Sequence, residues 1–264
     1  MSNLRVATLN VWNRLGPWEE RKRAIRASLE KLAPDVIGLQ EVIRLEGEHE
    51  FDQLAEIGEG LGYHSAYGRS PEAPPWGNGN AVLSRWPVTS TTVFPLEGTD
   101  EARCLLATTI DSPHGEIPFF VTHLNWMFHE GHVRRRQVRA VAGHIARLAP
   151  IEGFPPIVVG DFNSESDSDE IRFMRGLTPL DGTCVYFADC FAAAGEGPGY
   201  TFARRNPFAL LLREPNRRID YVFVRGPDQK GRGEPLEAHV CFDEPVDGVF
   251  PSDHFCVVAT LSLK

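Results

Sequence analysis

Hydrophobic and polar positions along the chain repeat with two periods, and the changes of period predict its elements. Residues 4–10 alternate as a strand does, with Leu4, Val6 and Thr8 set against Arg5 and Ala7. Residues 19–32 carry Ile25, Leu29 and Leu32 at helical spacing until Pro34 stops the helix. Residues 35–41 are apolar at consecutive positions, as a strand covered on both faces requires. A second helix fits residues 51–61, with Phe51, Leu54, Ala55 and Gly58 on one stripe, ahead of a strand at 63–67. Proline and glycine make residues 69–80 a surface loop, and residues 81–85 return to a strand pattern. Residues 103–110 and 117–123 flank Pro113-His114-Gly115 as a hairpin.

The longest helix is predicted over residues 131–148. One side holds Val133, Gln137, Ala140, Val141, His144, Ile145 and Leu148, and the other holds Arg134, Arg135 and Arg139. Ser168 is placed to cap a helix that reaches Leu177 on a stripe of Ile171, Met174 and Leu177. Residues 178–216 lack periodicity and read as irregular structure flanking a site, while 218–224 and 254–261 read as strands. No repeat, linker or low-complexity tract divides the chain, so a single domain over residues 1–264 is expected. Strands that come both as hairpins and in alternation with helices predict an α/β fold, two sheets packed face to face with helices outside.

The apolar run Pro156-Ile157-Val158-Val159-Gly160 ends in Asp161-Phe162-Asn163, two oxygen-bearing side chains two positions apart that can point the same way. Other strand ends carry Asn10, Glu41, His123 with Asn125, and Asp220, and Ser252-Asp253-His254 opens the last strand. Any one of these alone reads as a solvated strand end; the set predicts a single site. Asn10, Glu41, Asp161, Asn163 and Asp253 are hard oxygen ligands without an accompanying cysteine, which suits Mg²⁺ or Mn²⁺ rather than zinc. Asp220 is placed to orient His254, leaving the far imidazole nitrogen for water or a phosphoryl oxygen. His123 is a second candidate, as a phosphate donor or an acid for the leaving group.

Composition changes this picture only at its margins. An apolar content of 42% and a charged content of 24% are ordinary for a globular protein. No apolar run approaches a membrane span, and Met1-Ser2-Asn3-Leu4-Arg5 carries no signal-peptide core, so a cytoplasmic protein without integral membrane contact is expected. Cys104, Cys184, Cys190, Cys241 and Cys256 are scattered and read as reduced thiols. A net charge of -9 argues against tracking along nucleic-acid backbones, although not against binding a nucleic-acid end.

Leu9-Asn10-Val11-Trp12-Asn13, Gln40-Glu41-Val42, Thr122-His123-Leu124, Gly160-Asp161-Phe162-Asn163, Arg218-Ile219-Asp220-Tyr221 and Pro251-Ser252-Asp253-His254 resemble, in order and spacing, the motifs of the endonuclease/exonuclease/phosphatase superfamily. The resemblance implies a four-layer α/β/β/α sandwich and Mg²⁺-dependent cleavage of phosphate esters. It implies Glu41 as the main metal ligand, helped by Asn10 and Asp253. Asp161 and Asn163 would position water and phosphate or hold a second metal, Asp220 and His254 would pair, and His123 would contact phosphate. Val11-Trp12 stands where some members carry a further acidic ligand. Thr122-His123-Leu124 is closer to the sphingomyelinase, inositol-phosphatase and tyrosyl-DNA phosphodiesterase branches than to the apurinic one, and Arg136 with Gln137 resembles a pattern of those relatives.

Substrate contacts are expected from Asn125, Arg103, Asn206 and Trp126, with Arg204, Arg217 and the arginines of 134–139 as further anion contacts. Trp12, Trp76, Trp126 and Phe128 could stack on a substrate. The expected enzyme hydrolyses a small or lipid-derived phosphodiester. The alternatives are a nucleic-acid end-processing enzyme, including one that releases a 5′ adduct, and an inactive binding protein of the same fold.

Overall fold

A computed structural model describes residues 3–45, 50–74, 77–99, 101–149, 151–226 and 228–264. In chain order the first half comprises β1 (Asn3–Asn10), α1 (Trp18–Leu32), β2 (Val36–Leu45), β3 (Phe51–Asp52), α2 (Gln53–Gly58), β4 (His64–Gly68), β5 (Asn78–Ser84), β6 (Val88–Leu96), β7 (Arg103–Ser112) and β8 (Gly115–His123). The second half comprises α3 (Gly131–Leu148), β9 (Ile157–Asp161), α4 (Asp169–Met174), β10 (Phe187–Asp189), α5 (Cys190–Ala194), α6 (Pro207–Leu210), β11 (Asp220–Arg225), β12 (Pro235–Cys241) and β13 (Cys256–Ser262).

The strands form two mixed sheets, β12-β13-β1-β2-β5-β4 with β3 beside β2, and β10-β11-β9-β8-β7-β6. Three apolar clusters fill the three interfaces of the resulting α/β/β/α stack. Val6, Val36, Phe119, Val121, Ile157 and Val159 lie between the sheets. Ile25 and Leu29 of α1 pack on the first sheet with Leu9 and Leu39, and Val138, Val141 and Ile145 of α3 pack on the second with Phe120 and Val158. The consecutive apolar runs of β2 and β9 follow from this, because each is covered on both faces.

Within each sheet one parallel pair matters for the site. β1 runs parallel to β2 and β8 parallel to β9, so in each pair the carboxyl ends lie side by side. At Gly160, φ is +148°, and a Cβ there would stand 1.9 Å from the carbonyl oxygen of Thr122. Only glycine lets β9 lie this close to β8 while turning Asp161 toward the end of the sheet.

Several elements differ from expectation, each for a local reason. Residues 51–61 split, because Phe51 and Asp52 pair with β2 and Asp52 then caps α2 by accepting from the Ala55 N–H. The helix after Ser168 stops at Met174, where Gly176 at φ +73° turns the chain and leaves Leu177 exposed; the Ser168 hydroxyl donates to the Glu165 carbonyl rather than capping. Arg134 is buried rather than on an outer face, because its guanidinium donates to Glu170 and to the carbonyls of Asn125 and Met127. β6 and β12 are edge strands with largely exposed, polar sequences, so no apolar alternation announces them. β5 begins inside the expected 69–80 loop; Trp76 in that loop and the signal-peptide reading of Met1 and Ser2 lie outside the described residues.

Gly160→Ala is expected to destabilise the protein by about 3 kcal/mol or more, through backbone strain and a forced separation of β8 from β9. Thermal and denaturant unfolding measure this directly, with Gly182→Ala, which also has a positive φ but open space around its Cβ position, as a milder control.

Candidate active site

The register of the second sheet sets three candidate site groups in a row. His123 pairs with Asp161 across the parallel β8–β9 ladder, and Asp220 pairs with Asp161 across the antiparallel β9–β11 ladder. In the first sheet β1 ends at Asn10, while β2 carries a bulge between Leu39 and Val42. Within that bulge Glu41 adopts φ +60°, an unfavourable conformation for a non-glycine residue. The strain has a visible result: the Glu41 carboxylate comes within 2.9 Å of Asn10 Nδ2, whereas Gln40 points inward and exchanges hydrogen bonds with Thr8. Trp12, Asn13 and Asn163 are also left-handed, so this strained conformation recurs at these strand ends.

Asp161 is the meeting point of the two sheets. Its Oδ2 accepts from Asn10 Nδ2 at 3.1 Å and lies 3.5 Å from His123 Nε2 and 3.7 Å from His254 Nε2. Its Oδ1 accepts from the Asn163 N–H, and the Asn163 side chain donates to the Leu124 carbonyl. His254 Nδ1 donates to Asp220 Oδ2 at 2.9 Å, while Asp220 Oδ1 is buried with no partner among the described residues. Asp253 lies beside this group, where both Glu41 and Arg21 act on it electrostatically.

Arginine can only donate, so the 2.9 Å contact between Arg103 Nη1 and His123 Nδ1 makes Nδ1 an acceptor and puts the imidazole proton on Nε2, facing Asp161. His123 is therefore a neutral donor rather than an imidazolium acid. Burial, the Arg103 charge and the nearby His254 all hold its pKa well below the ordinary histidine value. His254 is the opposite case. Burial lowers its pKa, but Asp220, Asp253 and Asp161 together outweigh burial and raise it well above the ordinary value. Burial, reinforced by Asp220, raises Asp161 to about 6; burial, reinforced by Glu41, raises Asp253 to about 7.

Of the side chains expected to contact substrate, three are engaged in supporting the site. Asn125 Nδ2 donates to Thr99 and Glu130, and its Oδ1 accepts from Gln137. Asn206 caps α6 and donates Nδ2 to the Ser252 carbonyl, fixing the segment that presents Asp253 and His254. Arg103 joins His123 to Glu101. Trp126 stands exposed at the rim. Arg136 and Arg139 pair with Glu97 and Asp181, Arg217 pairs with Glu214, and Arg204 donates to the Arg213 carbonyl.

Two supporting residues escape sequence reasoning. Arg21, fully buried, donates to the carbonyls of Val11, Trp12, Asn13 and Leu15 and so shapes the loop after Asn10. Thr201 Oγ1 accepts from the N–H groups of Ile219 and Asp220. Arg21 looks like one more solvated position of a charged helix, and Thr201 lies in a stretch without periodicity.

The two face-to-face sheets and their outer helices define an α/β/β/α sandwich. The chain belongs to the Endonuclease/Exonuclease/phosphatase family, whose sequence profile matches residues 7–254. Members of this family hydrolyse phosphate esters and in general use a divalent metal. The chain is 26% identical over 241 residues to the uncharacterised protein YbhP of Escherichia coli K12, covering 84% of this chain and 85% of that one. An endonuclease/exonuclease/phosphatase from Beutenbergia cavernae superposes with a TM-score of 0.75 at 28% identity, over 99% of this chain and 72% of that one. TDP2 of D. rerio, complexed with single-strand DNA product, superposes with a TM-score of 0.77 at 20% identity over 99% and 100% of the two chains, a likeness of fold.

Nitrogen-15 NMR is expected to find the His123 proton on Nε2 and its titration displaced to acid pH. Arg103→Met should move that titration upward, because a like charge is removed while burial remains. An Nδ1-protonated imidazole in the parent protein would contradict the assignment.

Proposed function

We propose that the chain is a metal-dependent phosphodiesterase that hydrolyses a small or lipid-derived phosphate ester by in-line attack of water. The observation that carries this reading is the convergence of Asn10, Glu41, His123, Asp220 and His254 on the buried Asp161.

Asp161, with a pKa near 6, is matched to accept a proton from water at neutral pH. Asn163 donates its amide to Leu124, leaving its Oδ1 to orient that water. The hydroxide attacks phosphorus as the bond to the leaving oxygen breaks, and that oxygen takes a proton from solvent to leave as the alcohol. His254, held as an imidazolium by Asp220, and neutral His123, donating through Nε2, meet the charge that develops on the phosphoryl oxygens.

The donor set fits a hard divalent cation. Glu41, Asp161 and Asp253 offer only oxygen, and the carboxylates of Asp161 and Asp253, raised in pKa first by burial and then by Asp220 and Glu41, would gain from a bound positive charge. We assign Mg²⁺ or Mn²⁺ to Glu41, Asn10 and Asp253. Asn10 presently turns Nδ2 to the carboxylates and Oδ1 to the Trp12 N–H, so its ligation requires the amide to rotate. When bound, the cation supplies Lewis-acid polarisation of the phosphoryl group. A lipid-derived or small substrate is favoured over nucleic acid because Arg21, Arg103, Arg134 and Arg217 are each engaged by carbonyls, carboxylates or His123. No basic track leads to Glu41 from these groups.

Hydrolysis of bis-(p-nitrophenyl) phosphate with Mg²⁺ or Mn²⁺, and its loss in EDTA, tests the reading. Glu41→Ala and His254→Ala, with unchanged circular dichroism, are expected to lower the rate by roughly 10²- to 10⁴-fold. Undiminished turnover in His254→Ala, or none in the parent protein, would refute it. Calorimetry should also show proton release on metal binding near pH 6, since Asp161 at about 6 and Asp253 at about 7 hold protons there that a cation must displace. Apparent metal affinity should accordingly rise as pH passes through these values.

A further inference from the structure

Several of the exposed large apolar side chains belong to segments that flank the site. Leu15 is 54% exposed, Phe128 55%, and the consecutive Leu210, Leu211 and Leu212 are 48%, 72% and 61% exposed. A line of contacts joins them around the mouth of the site. Phe208 of α6 packs at a tilt against Trp12, ring centroids 4.9 Å apart, two residues beyond Asn10 and in the same loop as Leu15. At the other end Glu214 pairs with Arg217, whose guanidinium lies 4.4 Å from the Phe128 ring and also packs on Phe202, the ring that meets His254 edge-on at 5.1 Å.

The leucines are held outward by structure. Asn206 caps α6, and the N–H groups of Leu211, Leu212 and Arg213 donate to the carbonyls of Phe208, Ala209 and Leu210. Arg204 then closes the turn onto the Arg213 carbonyl. A rigid turn that keeps three leucines in water at the mouth of a site needs an apolar partner.

We propose that this rim docks the protein on a lipid–water interface, with Leu210, Leu211 and Leu212 inserting among acyl chains so that a lipid phosphodiester reaches Asp161. Two observations favour lipid over a protein partner. Consecutive residues on a helical turn fan apart by about 100° each, so the three leucines form a knob rather than a stripe. A protein groove would have to wrap that knob, whereas an acyl layer imposes no shape. The knob is also cationic at its base: Arg204 and Arg213 are exposed, and Glu214, next to Arg213 in sequence, pairs with Arg217. On a chain of net charge -9 this local positive charge complements anionic headgroups. Docking of this kind is peripheral, consistent with the absence of any helix long and apolar enough to cross a membrane among the described residues. The substrate delivered rests on the phosphodiesterase reading above, but the docking does not.

Cosedimentation of the intact protein with phosphatidylcholine vesicles, with and without phosphatidylglycerol, tests the proposal. The parent protein is expected to pellet with the phosphatidylglycerol vesicles, and Leu211→Asp/Leu212→Asp to bind them roughly tenfold more weakly at an unchanged melting temperature. Arg213→Glu should weaken only the phosphatidylglycerol-dependent part. A parent protein that stays in the supernatant with both vesicles, or a double variant that pellets equally well, overturns the proposal. So does a dimer, seen by sedimentation velocity, that the double variant dissociates, since a second copy would then be the occupant. Hydrolysis of bis-(p-nitrophenyl) phosphate, expected equal in parent and double variant, separates the two readings. Turnover without vesicle binding removes the docking surface alone; vesicle binding without turnover removes the phosphodiesterase alone.

Discussion

The structure depends on keeping a carboxylate buried where two sheets meet. Asp161 is 1% exposed, with Asp220 beside it in the sheet and Glu41 reached through Asn10. A carboxyl group whose pKa rises on folding binds its proton more tightly in the native state. Its contribution to stability is therefore largest at acid pH and declines as pH rises through the folded value, about 6 for Asp161 and about 7 for Asp253. At neutral pH such an upward shift opposes folding. The rest of the molecule has to supply that energy, and the three apolar interfaces of the sandwich do so.

That requirement explains the odd backbone around the site. Glycine at 160 lets β9 approach β8, the bulge in β2 turns Glu41 out at positive φ, and Arg21 gives up water to tie four carbonyls of the Asn10 loop. Each device is unfavourable taken alone. Each holds a charged or polar group at the same point, so local strain is exchanged for a preorganised arrangement of donors and acceptors. The two histidines show how finely this sets charge. They face the same carboxylate oxygen, yet Arg103 behind one and Asp220 behind the other make one neutral and the other cationic.

The sequence reveals the parts governed by burial. β1, α1, the hairpin of β7 and β8, α3 and β9 are legible because their apolar periodicity is imposed by the layers they touch. The strand-end residues are legible because oxygen-bearing side chains recur where apolar runs stop. What it hides is either exposed or mutual. β6 and β12 are edge strands whose outward faces carry no apolar signal, and the split at Phe51–Asp52 depends on pairing with β2 rather than on local propensity. Arg134 and Arg21 look like surface charges until Glu170 and a ring of carbonyls are seen around them. Asn125 and Asn206 carry the right chemistry for binding substrate, but Glu130, Gln137 and Ser252 have already taken their hydrogen bonds.

The same distinction separates chemistry from specificity. The candidate site groups sit at strand ends fixed by two sheets, so their placement follows from the framework. The rim is built from loops and from the four-residue α6, where the sandwich places no demand on side-chain type. Leucine at 210, 211 and 212 is therefore informative in a way that leucine in the core is not. In the core an apolar residue follows from packing, whereas on a capped, hydrogen-bonded turn facing water it lowers solubility and adds nothing to the fold. Its physical rationale lies in what the mouth of the site meets, and an apolar knob beside the exposed Arg204 and Arg213 meets an acyl layer with charged headgroups better than it meets water.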